Sequence, residues 1–108
     1  LLRCPIFADN DANIAALGEA RPGAGQGFET AFYVTLGSGV GGGMVVNGRI
    51  FHGAAPGESE IGHLRLDRQG TTLESQVSGW AVDGKVRALA AQHPDSVLAK
   101  LMAEAGTT

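Results

Sequence analysis

The sequence predicts a mixed fold, α/β or α+β, with strand-forming segments early in the chain and helix-forming segments late. Thr30–Leu36 contains Phe, Tyr and Val, a composition typical of a strand. From Thr72 onward the chain is rich in alanine and leucine, which favour helices. The 17 glycines are clustered, and the clusters mark the turns between these elements.

The first predicted elements are a strand and a helix joined by polar residues. Leu1–Ala8 is short and apolar, and we expect it to end in a strand that carries residues 9–11 at its carboxyl edge. Ala12–Ala20 has the alanine, leucine and glutamate content of a helix. The Arg-Pro-Gly sequence at residues 21–23 is expected to stop that helix.

A β-hairpin is predicted next. Gly37–Gly43 interrupts the strand Thr30–Leu36, which resumes at Met44–Val46. Asn47-Gly48 predicts a type I′ turn, because both central residues of that turn need positive φ. We therefore expect Arg49–Phe51 to be the returning strand.

The second half is predicted to contain one more strand and then helices. Gly53–Ser59 has loop composition, and His63–Asp67 alternates apolar and polar residues as a strand does. Thr72–Ala91 is expected to be helical, and Pro94–Ser96 is a start signal for a last helix. The first of these helices is expected to break at one of two glycines, Gly79 or Gly84.

Composition excludes several classes of function. A chain of 108 residues is one domain at most, and its net charge of −3 gives no basic surface for nucleic acid. Cys4 is the single cysteine, so an internal disulfide is excluded and a reducing, cytoplasmic location is expected. No stretch has the roughly 18 apolar residues of a membrane span. The opening Leu-Leu-Arg-Cys-Pro is expected to lie inside a longer protein.

Four polar residues, Asp9, Asn10, Asp11 and Asn13, surround the start of the first predicted helix. One of them is enough to cap the helix, since an Asn or Asp oxygen accepts the first free backbone N–H groups. The surplus indicates a polar site at a helix N-terminus, which suits ligands with hydroxyl or phosphate groups.

The stretch TLGSGVGGG, Thr35–Gly43, lies between two predicted strands. Glycine lets the backbone approach a ligand closely, so that consecutive N–H groups can converge on an anion. Neither a Walker A loop nor a dinucleotide fingerprint fits, because no Gly-Lys-Ser/Thr follows and the next element is a hairpin. Phosphate binding and a tight hairpin with glycine kinks both remain compatible with this spacing.

Three further ionisable residues are candidates for binding. Glu60 and His63 can face one pocket if their segment makes a turn, where they would bracket two sugar hydroxyls. A surface acid beside a structural histidine is the simpler explanation of that pair. Glu74 falls at a helix start, where the helix dipole favours a carboxylate whatever its role. We expect His52 and His93 to be solvated.

Taken in order, these stretches resemble the ROK family of sugar kinases and sugar-responsive repressors. The resemblance extends from about Pro5 to Ala90. It is carried by Asn10–Asn13, Ala15–Glu19, Thr35–Gly43, Asn47-Gly48, Glu60–His63 and Leu73-Glu74.

The resemblance implies an actin-like, ribonuclease-H-like α/β fold in which two lobes enclose ATP and sugar. The chain would be a partial ROK domain, with the end of the small lobe at about residues 1–12 and part of the large lobe after it. The family's Asp-x-Gly-Gly-Thr phosphate loop would lie upstream of Leu1. The helices that complete the adenosine pocket would also be missing.

The resemblance also implies residue roles. Asp11 would be the general base that takes the proton from the attacking sugar hydroxyl, Asn10 would orient the sugar, and Asn13 would support the helix start. The other sugar contacts would be Glu60, His63 and Glu74. The contacts to the nucleotide phosphates would be Thr35, Gly37, Ser38 and Gly39.

One departure from the family concerns zinc. Most ROK proteins follow the Gly-His with a cysteine-rich run that binds a structural zinc together with that histidine. The corresponding stretch here, Leu64–Leu73, has no cysteine, and Asp and Thr oxygens do not replace three thiolates. We expect no structural zinc and no other metal ligands in this chain.

The implied function is a glucokinase-like sugar kinase that uses ATP and Mg²⁺, with ATP or polyphosphate as donor left open. Its substrate would be a hexose or an N-acylhexosamine, and the full-length protein would be a homodimer. The alternative is a ROK repressor with the same sugar site and an upstream DNA-binding helix-turn-helix. A degenerate module that serves assembly only is a third possibility. The chain by itself is expected to be inactive.

Overall fold

The computed structural model describes residues 3–54 and 59–106, which form one three-stranded sheet, four α-helices and one 3₁₀ helix. None of these helices is long and apolar enough to cross a membrane. In chain order the elements are α1 (Asp11–Ala20), β1 (Thr30–Leu36), β2 (Val40–Val46), β3 (Arg49–Ile50), the 3₁₀ helix (Ile61–His63), α2 (Leu73–Val77), α3 (Gly79–Gln92) and α4 (Val97–Glu104).

The sheet is antiparallel in the order β1-β2-β3, and β2 is its best-packed strand. Helix α1 covers one face, and Ser59 with the 3₁₀ helix contacts the other face at Gly42. The buried apolar side chains of the described chain are Ala12, Ala16, Val40 and Val45, all in α1 and β2. The best-packed part of the described chain is therefore the layer formed by α1 and β2.

A close backbone approach fixes the position of α1 on the sheet. A Cβ atom at Gly43 would lie 2.5 Å from the backbone oxygen of Ala12 and 2.9 Å from the Cβ of Ala16. Only glycine fits there, because those distances are well inside van der Waals contact. The first turn of α1 is thus held against the middle of β2.

The predicted hairpin is confirmed. Asn47 and Gly48 have φ of 50° and 71°, as a type I′ turn requires. They connect Val46 to its cross-strand partner Arg49. The prediction that Gly37–Gly43 interrupts the strand is wrong for residues 40–43, because β2 begins at Val40 and all four of these residues pair with β1. Glycines occupy strand positions 42 and 43 because α1 and the 3₁₀ helix leave no room for side chains.

Two other predicted strands are wrong. Residues 3–10 form no strand, and Leu1 and Leu2 lie outside the described residues. The predicted strand His63–Asp67 is reduced to one bridge between Arg65 and Thr72. A strand persists only where a neighbour accepts and donates its backbone hydrogen bonds, and neither segment has such a neighbour along its length. The predicted loop Gly53–Ser59 lies partly outside the described residues.

The helices of the second half begin at polar caps. Thr72 and Ser75 form a reciprocal capping box at the start of α2. The predicted break falls at Ser78, whose ψ of 156° ends α2 and whose hydroxyl caps α3. Gly84 leaves α3 unbroken, and Ser96 caps α4 as predicted. The short α2 therefore stands as a separate element in front of α3.

Candidate functional site

The first turn of α1 presents two of the predicted site residues. Asn10 is the N-cap, and its Oδ1 accepts the N–H groups of Ala12 at 2.9 Å and Asn13 at 3.4 Å. Asp11 is exposed at the first helical position, and its Oδ1 also accepts from Ala12 at 2.8 Å.

The Gly37–Gly39 turn between β1 and β2 is held by the start of α3. The Gly79 N–H donates to the Gly37 carbonyl at 2.7 Å, and the Trp80 N–H donates to the Ser38 carbonyl at 3.5 Å. In a trans peptide the C=O and the following N–H point in opposite directions. The N–H groups of Ser38 and Gly39 therefore point away from α3, and no acceptor among the described residues binds them.

Glu74 contacts this turn directly. Its Oε2 accepts the Val40 N–H at 2.9 Å, from a position one residue into α2. A Cβ atom at Gly39 would lie 2.7 Å from the same oxygen. The predicted placement of Glu74 in the first turn of a helix is confirmed, and the structure adds a contact between residues 34 positions apart.

A cavity of about 280 Å³, the Asp11 cavity, brings these features together. Two carboxylates, one threonine hydroxyl and the glycine-rich backbone meet in it. Its lining residues are Asp11, Thr35, Gly37, Ser38, Gly39, Val40, Gly41 and Glu74. Five other predicted site residues therefore share one space with Asp11, namely Thr35 at the end of β1, Gly37, Ser38 and Gly39 in the turn, and Glu74 in α2.

Glu60 and His63 lie on the other face of β2. His63 N–H donates to the Glu60 carbonyl at 3.1 Å, so the segment makes the single turn that the spacing predicts. Both side chains are exposed, Glu60 at the N-cap of the 3₁₀ helix and His63 at its last residue. Gly62 is buried against the Val40 carbonyl. Neither Glu60 nor His63 lines the Asp11 cavity.

The sequence prediction grouped Asp9 with the polar residues of the helix start but missed its partner His52. Asp9 Oδ1 accepts the Asn13 Nδ2 at 2.9 Å and the Asn10 N–H at 2.7 Å, and Asp9 Oδ2 lies 3.4 Å from His52 Nε2. The hydrogen bond from the Asn13 side chain, followed by that from the Asn10 backbone and the charge of His52, lowers the pKa of Asp9. His52 is exposed, but it pairs with Asp9 instead of being only solvated.

Asn13 supports the helix start from inside the core. It is fully buried, and its Oδ1 has no hydrogen-bond partner among the described residues. Asp9 and Asn13 are only four residues apart across the helix start, and this short separation was the available signal for their contact. The pairing with His52 joins distant parts of the chain, and no spacing rule indicates it.

Within the parts of the chain that the structure describes, no three His, Cys, Asp or Glu side chains are grouped so as to hold a metal ion. Cys4 is exposed near the N-terminus. The absence of a structural zinc stays a prediction. Metal analysis of the dialysed full-length protein checks it, and one zinc per chain that disappears in His63→Ala would contradict it.

The family assignment follows from comparison with known proteins. The model of the ROK family matches residues 1–94, and the chain belongs to that family. A glucokinase of Halalkalibacterium halodurans is 52% identical over 68 residues, which are 63% of this chain and 21% of that enzyme. This chain thus spans about a fifth of that relative's length.

Solved structures show the same likeness. A ROK family glucokinase from Streptomyces griseus, in complex with glucose and AMPPNP, superposes with a TM-score of 0.72 at 35% identity. The match covers 84% of this chain and 32% of that one. A ROK family transcriptional regulator, a homologue of the Escherichia coli MLC protein, gives 0.71 at 30% identity, covering 82% of this chain and 24% of the regulator. The predicted α/β, actin-like fold is confirmed.

Proposed function

We propose that the protein containing this chain is a sugar kinase that transfers the γ-phosphate of ATP to a hydroxyl of a hexose or an N-acylhexosamine. One observation carries the proposal: the Asp11 carboxylate lines the same cavity as the Gly37–Gly39 turn. A sugar kinase needs a base near the attacking hydroxyl and a cradle for the phosphate in one space. The glucokinase relative and the glucose complex support the same class of reaction.

In this proposal Asp11 is the general base. A sugar hydroxyl has a very high pKa, so its proton must pass to a carboxylate within hydrogen-bond reach as the oxygen attacks phosphorus. Asp11 is exposed at the first position of α1, and its Oδ1 accepts the Ala12 N–H of the same helix. The carboxylate is therefore available to the ligand and fixed by the helix start.

Asn10 acts as a donor to the sugar. Its Oδ1 is already used to cap α1, so its Nδ2 remains to donate to a hydroxyl. Glu60 and His63 bind further hydroxyls from their 3₁₀ turn, one accepting and one able to donate. Gly62 supports this assignment because its close contact with Val40 fixes the 3₁₀ turn on β2. Val40 is also the residue whose N–H donates to Glu74.

The Gly37–Gly39 turn fits a phosphate group. Two consecutive N–H groups, from Ser38 and Gly39, have no acceptor in the described chain, and a Cβ at Gly37 would meet only open space. Such adjacent N–H groups form an anion-binding nest. Mg²⁺, brought with ATP, would neutralise charge on the phosphates bound there.

The second candidate function is a ROK repressor that binds a sugar effector. The likeness to the ROK transcriptional regulator favours it, and a xylose repressor of Bacillus subtilis is 33% identical over 66 residues, or 61% of this chain and 17% of the repressor. A repressor needs the sugar contacts but no base. Because a repressor keeps the same sugar contacts, Asp11 separates the two functions only weakly, and the kinase rests on the place of Asp11 beside the Gly37–Gly39 turn.

A coupled ADP assay on the full-length protein tests the proposal. Glucose, N-acetylglucosamine and N-acetylmannosamine are each offered with Mg²⁺ and ATP, and the proposal expects turnover with at least one sugar. With polyphosphate as donor the sugar phosphate itself is measured, because that donor releases no ADP. Binding of a sugar without turnover, together with sugar-dependent binding to DNA, would establish the repressor instead.

The 108-residue chain alone is expected to give no turnover in the same assay. Phosphoryl transfer needs the phosphates held from both sides with Mg²⁺ between them, and closure of the site to exclude water. A site open on one side leaves sugar in competition with solvent, so we expect a Kd in the millimolar range or weaker, about −4 kcal/mol. Turnover by the chain alone would contradict the assignment of a second phosphate loop elsewhere.

A further inference from the structure

Glu74 lies where two cavities meet. Besides the Asp11 cavity, a second cavity of about 570 Å³, the Trp80 cavity, opens beside the same turn. Only three residues, Ser38, Gly39 and Glu74, line both cavities. A side chain at this boundary can influence a ligand group in either cavity.

The contact of Glu74 with β2 is unusual for a side chain whose expected task is to bind sugar. Its Oε2 is committed to the Val40 N–H, the first backbone donor after the Gly37–Gly39 turn. That leaves Oε1 for a ligand. A hydrogen bond to an ionised acceptor is among the stronger ones in proteins, so this contact constrains the end of the turn.

The turn is thereby held at both ends by the α2–α3 segment. Gly79 donates to the Gly37 carbonyl at the start of the turn, and Glu74 accepts from Val40 at its end. At one end the turn accepts a hydrogen bond through the Gly37 carbonyl, and at the other end the Val40 N–H donates one. The two bonds together restrict the rotation of the peptide units between them. Those peptide units contain the N–H groups of Ser38 and Gly39, which have no acceptor among residues 3–54 and 59–106.

We propose that Glu74 is a positioning residue for the nucleotide phosphates, because its carboxylate sets the shape of the Gly37–Gly39 turn. This inference rests on the proposed kinase function and goes beyond it. As a sugar contact alone, Glu74 would affect the KM for sugar and leave nucleotide affinity unchanged. As a positioning residue, it affects nucleotide affinity whether or not sugar is present.

Two substitutions separate these roles. Glu74→Gln keeps a side-chain oxygen that accepts the Val40 N–H, whereas Glu74→Ala removes the acceptor. We expect Glu74→Ala in the full-length protein to weaken MgADP binding, measured by titration calorimetry without sugar, by about tenfold or more. Glu74→Gln should stay within about threefold of the parent, and Asp83→Ala, on the exposed surface of α3, is the matched control.

Gly39→Ala gives a second route to the same contact. Its Cβ would lie 2.7 Å from Glu74 Oε2, so the carboxylate must leave the Val40 N–H. The substitution should weaken MgADP in the parent and add little in Glu74→Ala, since the contact is already absent there.

The outcomes are distinguishable. A parent protein that binds no MgADP contradicts the proposed kinase function. Equal MgADP affinities of the parent protein and Glu74→Ala contradict this inference but not the proposed kinase function. Equal weakening in Glu74→Gln and Glu74→Ala also contradicts it, because the charge would then matter and the hydrogen bond would not.

Discussion

The layer formed by α1 and the hairpin and the helical region from α2 to α4 are held in different ways. The first contains the buried apolar side chains of the described chain, and α1 touches β2 closely enough to exclude a Cβ at Gly43. The helices α2, α3 and α4 bury no residue, and Trp80 and Val97 are 75% and 73% exposed. Helices α2 and α3 reach the β1–β2 turn through hydrogen bonds to Gly37 and Val40.

This difference explains how the proposed site is built. Packing holds the start of α1, and with it Asp11, at a fixed place on β2. Directional hydrogen bonds hold the Gly37–Gly39 turn, which must present backbone N–H groups to a ligand. Packing fixes position over a large area, whereas a few hydrogen bonds fix the orientation of individual peptide units.

Gly43→Ala should break the packed region. The added Cβ meets the backbone of Ala12, which cannot move without displacing α1, so we expect a loss of about 1–3 kcal/mol in the free energy of unfolding. Urea denaturation of the full-length protein measures it. Gly18→Ala is the control: its Cβ meets nothing within 4 Å, and alanine should add about 0.5–1 kcal/mol of stability in the helix. Equal effects of the two substitutions would refute the close-packing argument.

Ser78→Ala should perturb the hydrogen-bonded region less. The serine hydroxyl accepts the Ala81 N–H at 3.2 Å and caps α3. Its loss should cost about 0.5–2 kcal/mol in the same denaturation experiment, and Ser78→Asp should restore much of it. A change within error for Ser78→Ala would mean that the cap does not stabilise α3.

The smallest expected effect is the pH dependence due to Asp9. Its pKa is lowered in the folded state, chiefly by the Asn13 side chain, so the folded state binds the Asp9 proton less readily than the unfolded state. Asp9 therefore contributes stability above the ordinary Asp pKa of about 4, and that contribution is lost as the pH falls through the folded-state pKa. The stability difference between the parent and Asp9→Asn should narrow between pH 6 and pH 3. A stability difference that widens as the pH falls would mean that folding raises the pKa of Asp9, and it would contradict this prediction.

Local signals predicted much of the fold. The bounds of β1 are those predicted, since Thr30–Leu36 is rich in strand-forming residues and is followed by Gly37. The Asn47-Gly48 turn and the Ser96 cap follow from local backbone chemistry in the same way. The errors arose where a partner decides the structure. From the sequence alone Gly43 is expected in a loop. It lies in a strand because α1 occupies the space that a side chain would need there.

The candidate site was predictable only in part for the same reason. The residue types at Asp11 and in the glycine-rich stretch indicate their chemistry by themselves. The bond between Glu74 and Val40 and the pairing of Asp9 with His52 join residues that are distant in sequence. Periodicity and spacing describe neighbours within one element, so neither contact was visible before the fold.

The central claim is that the Asp11 carboxylate serves as the base for phosphoryl transfer, and Asp11→Asn in the full-length protein tests it most directly. The amide keeps the size of the side chain and its ability to accept from Ala12, but it cannot take a proton at neutral pH. We predict that kcat with ATP and the preferred sugar falls on the order of 10²–10⁴-fold, while the sugar Kd from calorimetry stays within a few-fold of the parent. A near-normal kcat for Asp11→Asn would contradict the account.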